Sequence, residues 1–206
     1  MKLIERSFAD LLTAFSAPDP TPGGGSASAL ASAVGASLLM MVAALAKTRN
    51  GSDDDRAALS VASTTLAGIR EDLTTAIDTD TSAYDAVVEA YRLPKATPDE
   101  QRVRKDAIQR ALRRATDVPL SVMRLSVQGC EQAATVAAHG HRAAASDVGV
   151  ALALLRAGLE GAGLNVGINL GGVSDQTYVD AVRTESATLT TQASQAADVA
   201  SALLRS

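Results

Sequence analysis

Apolar-periodic runs of the 206-residue chain alternate with short clusters of Gly, Pro, Ser and Asp, and the runs carry helical rather than strand spacing. Ser7 followed by Asp10 predicts a short first helix that stops before Pro18, Pro20 and Pro22. After three consecutive glycines, positions 26–46 hold 21 uncharged residues, which predicts a helix apolar on every side. Asp53, Asp54 and Asp55 suit the positive end of a helix dipole and predict a third helix running to about Tyr91, with a break near residue 79. In LPKATPDE, Thr97 is placed as an N-cap, Pro98 as the first helical residue and Glu100 as the closing member of a capping box. Pro119 predicts a break or kink before a further helix towards His139. Ser146 and Asp147 are expected to cap the next helix, and Ser174 and Asp175 the last, which extends almost to Ser206. No strand alternation and no fixed-period repeat is present. The expectation is a single all-α domain over 1–206, a multihelical bundle of roughly seven helices around a central small-residue helix.

Composition narrows the partners. With two Phe, three Tyr and no Trp, the apolar content comes from Ala, Val and Leu, which suits closely spaced helices and not a sandwich or barrel. A net charge of −4, a pI near 5.2 and the lack of a basic run argue against nucleic acid. Cys130 is the only cysteine, so no internal disulfide forms, and MKLIERSFADLL carries charges where a signal peptide needs an apolar stretch. A cytoplasmic location is expected. Positions 26–46 are long enough to cross a bilayer, but Ser26, Ser28, Ser32 and Ser37 lower their hydrophobicity and no Trp or Tyr marks an interface. A buried helix of a soluble bundle is the preferred reading, with no membrane partner, and a membrane-associated bundle is its rival. Small side chains at Ala29, Ala33 and Ala36, beside Ser28, Ser32 and Gly35, predict close helix approach within one subunit or between two.

Candidate chemistry is confined to three stretches. GGGSAS matches neither the P-loop nor the dinucleotide fingerprint, and His139, His141 and Cys130 are too few and too local for a metal site. The glycine run either permits a turn that side chains forbid or offers helix-start N–H groups to an anion or polarised carbonyl. In IREDLTTAIDTDTSAYDAVVEAY, the residues Leu66, Ile69, Leu73, Ile77, Tyr84, Val88 and Tyr91 form an apolar stripe into which Asp80 falls. A carboxylate aimed at a core must be paired, hydrogen-bonded or placed in a cleft, so Asp80 is either a polar layer at a helix break or a functional group. Asp78, Ser82, Asp85 and Glu89 form a second stripe that reads as solvated. Asn165 and Asn169, one turn apart, present two carboxamides that either read the donor and acceptor edge of a heterocycle or bond between helices.

Taken together, PTPGGGSASALASAVGASL (20–38), DTDTSAYDAVVEAYRLPKATPDEQ (78–101), ATDVPLSV (115–122) and SDVGVALALLRAGLEGAGLNVGINL (146–170) resemble the cyclodeaminase/cyclohydrolase family. That family comprises the C-terminal domain of formiminotransferase-cyclodeaminase and the free-standing methenyltetrahydrofolate cyclohydrolases. The resemblance implies a multihelical homodimer acting on tetrahydrofolate one-carbon adducts, with no metal and no cofactor beyond the folate substrate itself. It implies substrate contacts from Gly23, Gly24, Gly25, Ser26, Asn165 and Asn169. Catalytic candidates are Asp80 as acid or base, Asp147 as electrostatic partner or helix cap, and Lys95 as proton donor or tail anchor. Relatives typically carry Gly-Asn where this chain has Gly140-His141, and the formiminotransferase domain is absent. Ring opening of a methenyl bridge and ring closure with ammonia release remain open alternatives, as does a non-catalytic folate-binding or scaffold role.

Overall fold

The computed structural model describes residues 2–205. A 3₁₀ turn at Leu3–Glu5 precedes α1 (Phe8–Ser16), followed by α2 (Gly24–Ala43), α3 (Asp53–Arg92), α4 (Pro98–His139), a second 3₁₀ turn at Arg142–Ala144, α5 (Ala145–Leu170) and α6 (Gln176–Arg205). The only strand-like pairing among the described residues is an isolated antiparallel bridge between Thr48 and Gly140. The bundle is thus all-α, with six α-helices where the sequence suggested about seven.

Most helix starts follow their capping chemistry. Ser7 Oγ accepts from the Asp10 N–H at 3.2 Å, Ser52 Oγ from the Asp55 N–H at 3.1 Å, and Thr97 and Glu100 close a reciprocal capping box. Asp175 caps α6 through the Tyr178 N–H at 3.1 Å, while Ser174 turns to Gln109 instead. Two expectations change, and the break or kink expected at Pro119 narrows. The break near residue 79 does not occur, because Thr79 and Ser82 return their hydroxyls to the carbonyls of Thr75 and Asp78 and so sit inside a continuous helix. Ser146 and Asp147 do not cap α5, because the 3₁₀ turn starts the helix at Ala145 with Ala144 as cap and no side-chain cap bond. Pro119 does not split α4. Proline lacks the N–H that would bond the Ala115 carbonyl, and Asn169 Nδ2 donates to that oxygen at 2.7 Å from the neighbouring helix.

The core is built around α2, which packs against α3, α4 and α5 at once. This explains its lack of a polar face: Ala29, Ser32, Ala36, Leu39 and Val42 are all buried. α5 runs antiparallel beside α2 at close range. A Cβ on Gly158 would lie 2.0 Å from Ser32 Oγ and 2.6 Å from the Ser28 carbonyl oxygen, so no larger residue fits there without separating the helices. Ser32 also shares a hydrogen bond of 2.7 Å with Ser126 of α4.

Helix lengths position the open end of the molecule. α3 and α4 have 40 and 42 residues and span roughly 60 Å, whereas the 20 residues of α2 span roughly 30 Å. The α3–α4 hairpin therefore projects beyond the N-terminus of α2. Its tip is closed by a separate small cluster of Ala90, Ile108, Ala111 and Leu112, with Val173 packed against it. At the other end, buried Asp55 ties the α2–α3 loop to the end of α4. Its carboxylate meets His139 Nδ1 at 2.9 Å, Thr48 Oγ1 at 3.1 Å and the Asn50 N–H at 2.7 Å.

Candidate functional site

Where α2 begins, its first turn meets the midpoint of α3. Gly23 is the N-cap, in an extended conformation without a side chain to close the helix end. Ser26, fully buried, donates its hydroxyl proton to the Ile77 carbonyl at 2.8 Å or to Asp80 Oδ2 at 3.1 Å. A backbone hydrogen bond from Ser26 reaches Asp80 as well. Gly25 makes this approach possible: a Cβ there would lie 2.1 Å from Asp80 Oδ1, 2.5 Å from its Cγ and 2.7 Å from Oδ2. Asn165 of α5 completes the group, with its Nδ2 at 3.3 Å from the position of a Cβ on Gly24 and bonded to the Gly161 carbonyl at 2.9 Å.

Asp80 is half-buried, and burial raises its pKa above the ordinary carboxylate value, against the opposing hydrogen bonds from Ser26. A carboxyl in this state exchanges a proton closer to neutral pH than a solvated one does. The single hydroxyl proton of Ser26 can turn to the carboxylate when Asp80 is ionised and to the Ile77 carbonyl when it is not. Beyond Asp80 the apolar stripe leaves the core, because α2 has ended. Leu66, Ile69, Leu73 and Ile77 are buried, while Tyr84 is 41% exposed and Tyr91 is also exposed. The stripe thus passes from the core to the surface of the projecting hairpin. Asp78, grouped with the solvated stripe, is instead half-buried and accepts the Leu3 N–H at 2.6 Å, which ties the N-terminal segment to α3 close to Asp80.

The predicted site residues are not all together. Gly23, Gly24, Gly25, Ser26, Asp80 and Asn165 converge on one point. Asn169 lies one turn from Asn165, but its amide nitrogen is engaged by the Ala115 carbonyl. Lys95 sits in the α3–α4 connection, beyond twelve residues of α3 or roughly 18 Å of helix, beside an open cavity with Gln101 and Arg104. Asp147 is in the first turn of α5, roughly 27 Å along the helix from Asn165 and at the other end of the bundle. Within one chain, therefore, neither Lys95 nor Asp147 stands beside Asp80. The sequence did not disclose the Ser26 hydroxyl as the partner of Asp80, since the two are 54 positions apart. Nor did it disclose the Asp55–His139 pair, 84 positions apart. Among the described residues no group of three or more His, Cys, Asp and Glu gathers as a metal-binding set.

Residues 7–188 match the profile of the family described as formiminotransferase-cyclodeaminase. The chain belongs to this family. It is 40% identical over 161 residues to the methenyltetrahydrofolate cyclohydrolase of Methylorubrum extorquens, a match covering 78% of this chain and 77% of that protein. It is 29% identical to the formimidoyltransferase-cyclodeaminase of Gallus gallus over 98% of its own length, but that match spans only 37% of the longer protein. A crystal structure of formiminotetrahydrofolate cyclodeaminase from Thermotoga maritima superposes with a TM-score of 0.86 at 25% identity, covering 98% of this chain and 96% of that one. The glycine-led α2 and the α5 packed against it both lie within the matched residues.

Proposed function

We propose that this protein is an enzyme of tetrahydrofolate one-carbon metabolism that hydrolyses the methenyl bridge, a methenyltetrahydrofolate cyclohydrolase. The observation that carries the reading is the convergence of Asp80, the α2 N-terminus and Asn165 on one point, about one helical turn from the exposed Tyr84. The similarity to a cyclohydrolase of comparable length supports the assignment of reaction. The methenyl carbon is an amidinium centre, so the ionised Asp80 stabilises its charge and takes a proton from the attacking water. The tetrahedral carbon then collapses to a formyl group: its hydroxyl gives up the second water proton to solvent as the C=O bond forms, one C–N bond breaks, and the protonated Asp80 returns its proton to the departing nitrogen. Hydrolysis leaves the oxidation level of the carbon unchanged and calls for no redox cofactor. Gly24 and Gly25 present helix-start N–H groups to a carbonyl or carboxylate, Asn165 offers a carboxamide edge, and Tyr84 offers a ring face to the heterocycle.

A second reading is cyclodeamination of formiminotetrahydrofolate, favoured by the end-to-end likeness to the Thermotoga maritima cyclodeaminase. There a folate nitrogen attacks the formimino carbon and Asp80 supplies the proton to departing ammonia. Purified protein incubated with each substrate, with methenyl absorbance and released ammonia followed separately, distinguishes the two. Turnover of neither substrate refutes both and leaves the folate-binding or scaffold alternative.

We further infer a single domain, a cytoplasmic homodimer and no membrane insertion. α2 and the Arg142–Leu170 stretch are both long and apolar enough to span a bilayer, but half of the most apolar window in α2 is already covered by neighbouring helices. The remaining outer face carries exposed apolar side chains, Val34 and Met41 on α2 and Leu164 (72%) and Ile168 (77%) on α5, with the charged Glu160 beside the latter pair. A second copy turned about a twofold axis would cover these side chains.

A further inference from the structure

Hydroxyl side chains in the turns of α3 around Asp80 share one habit. Thr74, Thr79 and Ser82 donate to the carbonyls four residues back, those of Arg70, Thr75 and Asp78, at 2.7, 2.9 and 3.1 Å. Thr81 departs from it. The carbonyl four residues behind it, that of Ile77, takes the Ser26 hydroxyl at 2.8 Å, and Thr81 Oγ1 faces Ser26 Oγ at 3.5 Å. Thr81 is half-buried and Ser26 is 0% exposed, so Ser26 must satisfy its oxygen from protein groups.

Ser26 has one proton to give and two lone pairs to fill. The Ile77 carbonyl and Asp80 Oδ2 stand at 2.8 and 3.1 Å from its oxygen, and both are acceptors when Asp80 is ionised. Of the three oxygens in reach, only Thr81 Oγ1 then carries a proton. With Thr81 donating to Ser26 and Ser26 to Asp80, a chain of two hydroxyls ends on the carboxylate, and each bond polarises the next. The Ile77 carbonyl loses little, because the Thr81 N–H holds it within the helix. Protonated Asp80 reverses the chain: its own O–H donates to Ser26, whose proton goes to Ile77, and the Thr81 donor matters less. Thr81 therefore favours the ionised form. A separation of 3.5 Å is at the outer limit of such a bond, and catalytic hydrogen bonds are often long until substrate tightens them.

The charged groups on the surrounding elements are few or engaged. α2 carries none, and α5 carries none from Gly161 to Leu170. On α4, Asp117 takes the Tyr178 hydroxyl at 2.6 Å, Arg113 and Arg124 pair with Asp175 and Glu185, and Arg110 and Arg114 line a cavity with Glu89 further along the hairpin. The N-terminal segment brings Glu5 and Arg6, and α3 itself brings the exposed Asp85 and Asp78, which accepts the Leu3 N–H. What moves Asp80 is burial, which raises its pKa, against the Ser26 hydroxyl and N–H, which lower it.

Resting on the reading of Asp80 as the base of the hydrolysis, we propose that Thr81 is a positioning residue, whose hydroxyl supplies the donor that Ser26 lacks and so turns the Ser26 proton onto the ionised Asp80 carboxylate.

Two readouts test this. Carboxyl-carbon NMR of the substrate-free protein, with Asp80→Asn identifying the resonance, follows the Asp80 titration directly. The acid limb of kcat/KM for methenyltetrahydrofolate follows it through turnover. Thr81→Val removes the hydroxyl and keeps the branched shape, and should raise both midpoints by about half a pH unit, the size expected for one weak hydrogen bond made to a single ionisation state. Thr81→Ala should match it, and Thr81→Ser, which restores the donor, should return both midpoints to the parent values. In a Ser26→Ala background Thr81→Val should move neither midpoint further, because its route to Asp80 is gone. Thr74→Val, which deletes an α3 hydroxyl bonded to the Arg70 carbonyl, should match the parent. Unchanged midpoints in Thr81→Val and Thr81→Ala overturn the proposal. So does an equal rise in the Ser26→Ala background, which gives Thr81 a route that bypasses Ser26, and so does a Thr81→Ser variant that behaves like Thr81→Val. If the NMR midpoints move as expected while methenyltetrahydrofolate is not turned over, the hydroxyl chain stands and the assigned reaction falls; turnover with unmoved midpoints sinks the chain alone.

Discussion

Replacing Gly25 by Ala adds one methyl group at the tightest point of the candidate site. Its Cβ would sit 2.1 Å from Asp80 Oδ1 and under 3 Å from two further carboxyl atoms. The carboxyl group must therefore retreat by about 1 Å to regain van der Waals contact, and the Ser26 hydrogen bonds that hold it are lost or lengthened. A misplacement of about 1 Å at a reacting group is worth about 100-fold in rate. The effect on folding is much smaller. Hydrogen bonds to a charged group are worth about 1.5 to 3 kcal/mol, and exchanging glycine for alanine in a helix returns about 1 kcal/mol. In a chain of this size each kcal/mol moves the melting temperature by about 2 to 4 °C, so a shift of only a few degrees is expected. The controls follow from the same geometry. A Cβ on Gly24 meets Asn165 at 3.3 Å, and one on Gly23 meets nothing closer than the Pro20 carbonyl oxygen at 3.6 Å. Steady-state hydrolysis of methenyltetrahydrofolate should rank the variants Gly25→Ala far below Gly24→Ala, with Gly23→Ala near the parent. Turnover of Gly25→Ala within about threefold of the parent, or an equal loss in Gly23→Ala, refutes the idea that glycine is there to admit Asp80.

Three further outcomes are expected. Asp80→Asn should lower turnover by about 100-fold to 10,000-fold while folding normally, as kcat and circular dichroism will report. Because the folded-state pKa of Asp80 is raised, the parent loses stability as pH rises from the ordinary value of 3.8 through the raised one; denaturant midpoints should therefore favour the Asn variant increasingly over that window. Asp55 behaves oppositely: the His139 hydrogen bond, and then the Asn50 N–H, hold its carboxyl well below the usual range, so its stabilisation is complete above 3.8 and fades as pH falls further. Asp55→Asn should melt lower than the parent at neutral pH, with the difference narrowing in acid. Leu164→Arg with Ile168→Arg should yield particles of the 21.0 kDa chain mass by light scattering, where the parent gives twice that mass.

Helix identity was legible because caps and apolar spacing are local properties. Thr97 with Glu100 and Ser7 with Asp10 act where their spacing put them, and the all-small surface of α2 implied close neighbours on every side. Asp80 stood out because a charge interrupted an apolar period. The misreadings share a cause, for each depended on a distant residue. At Pro119 the break, one of the two expected outcomes, fails because the donor that repairs the helix lies on α5, and the stripe through Tyr84 and Tyr91 reads as core-facing because the point where α2 ends is not written in α3. Asp147 and Lys95 were grouped with Asp80 by motif and not by distance, and helix lengths alone place them roughly 27 Å from Asn165 and 18 Å from Asp80 along α5 and α3.

The bond from Asn169 to Ala115 ties the histories of two positions together. An ancestor with an ordinary residue at 119 would have filled its own backbone bond and left residue 169 free to vary; once proline entered, Asn169 became a debt that later substitutions had to respect. Losing the asparagine first strands a carbonyl, while losing the proline first merely makes the asparagine redundant. Descent can therefore leave this arrangement through position 119 more easily than through position 169, and a reconstructed lineage should show that order of change.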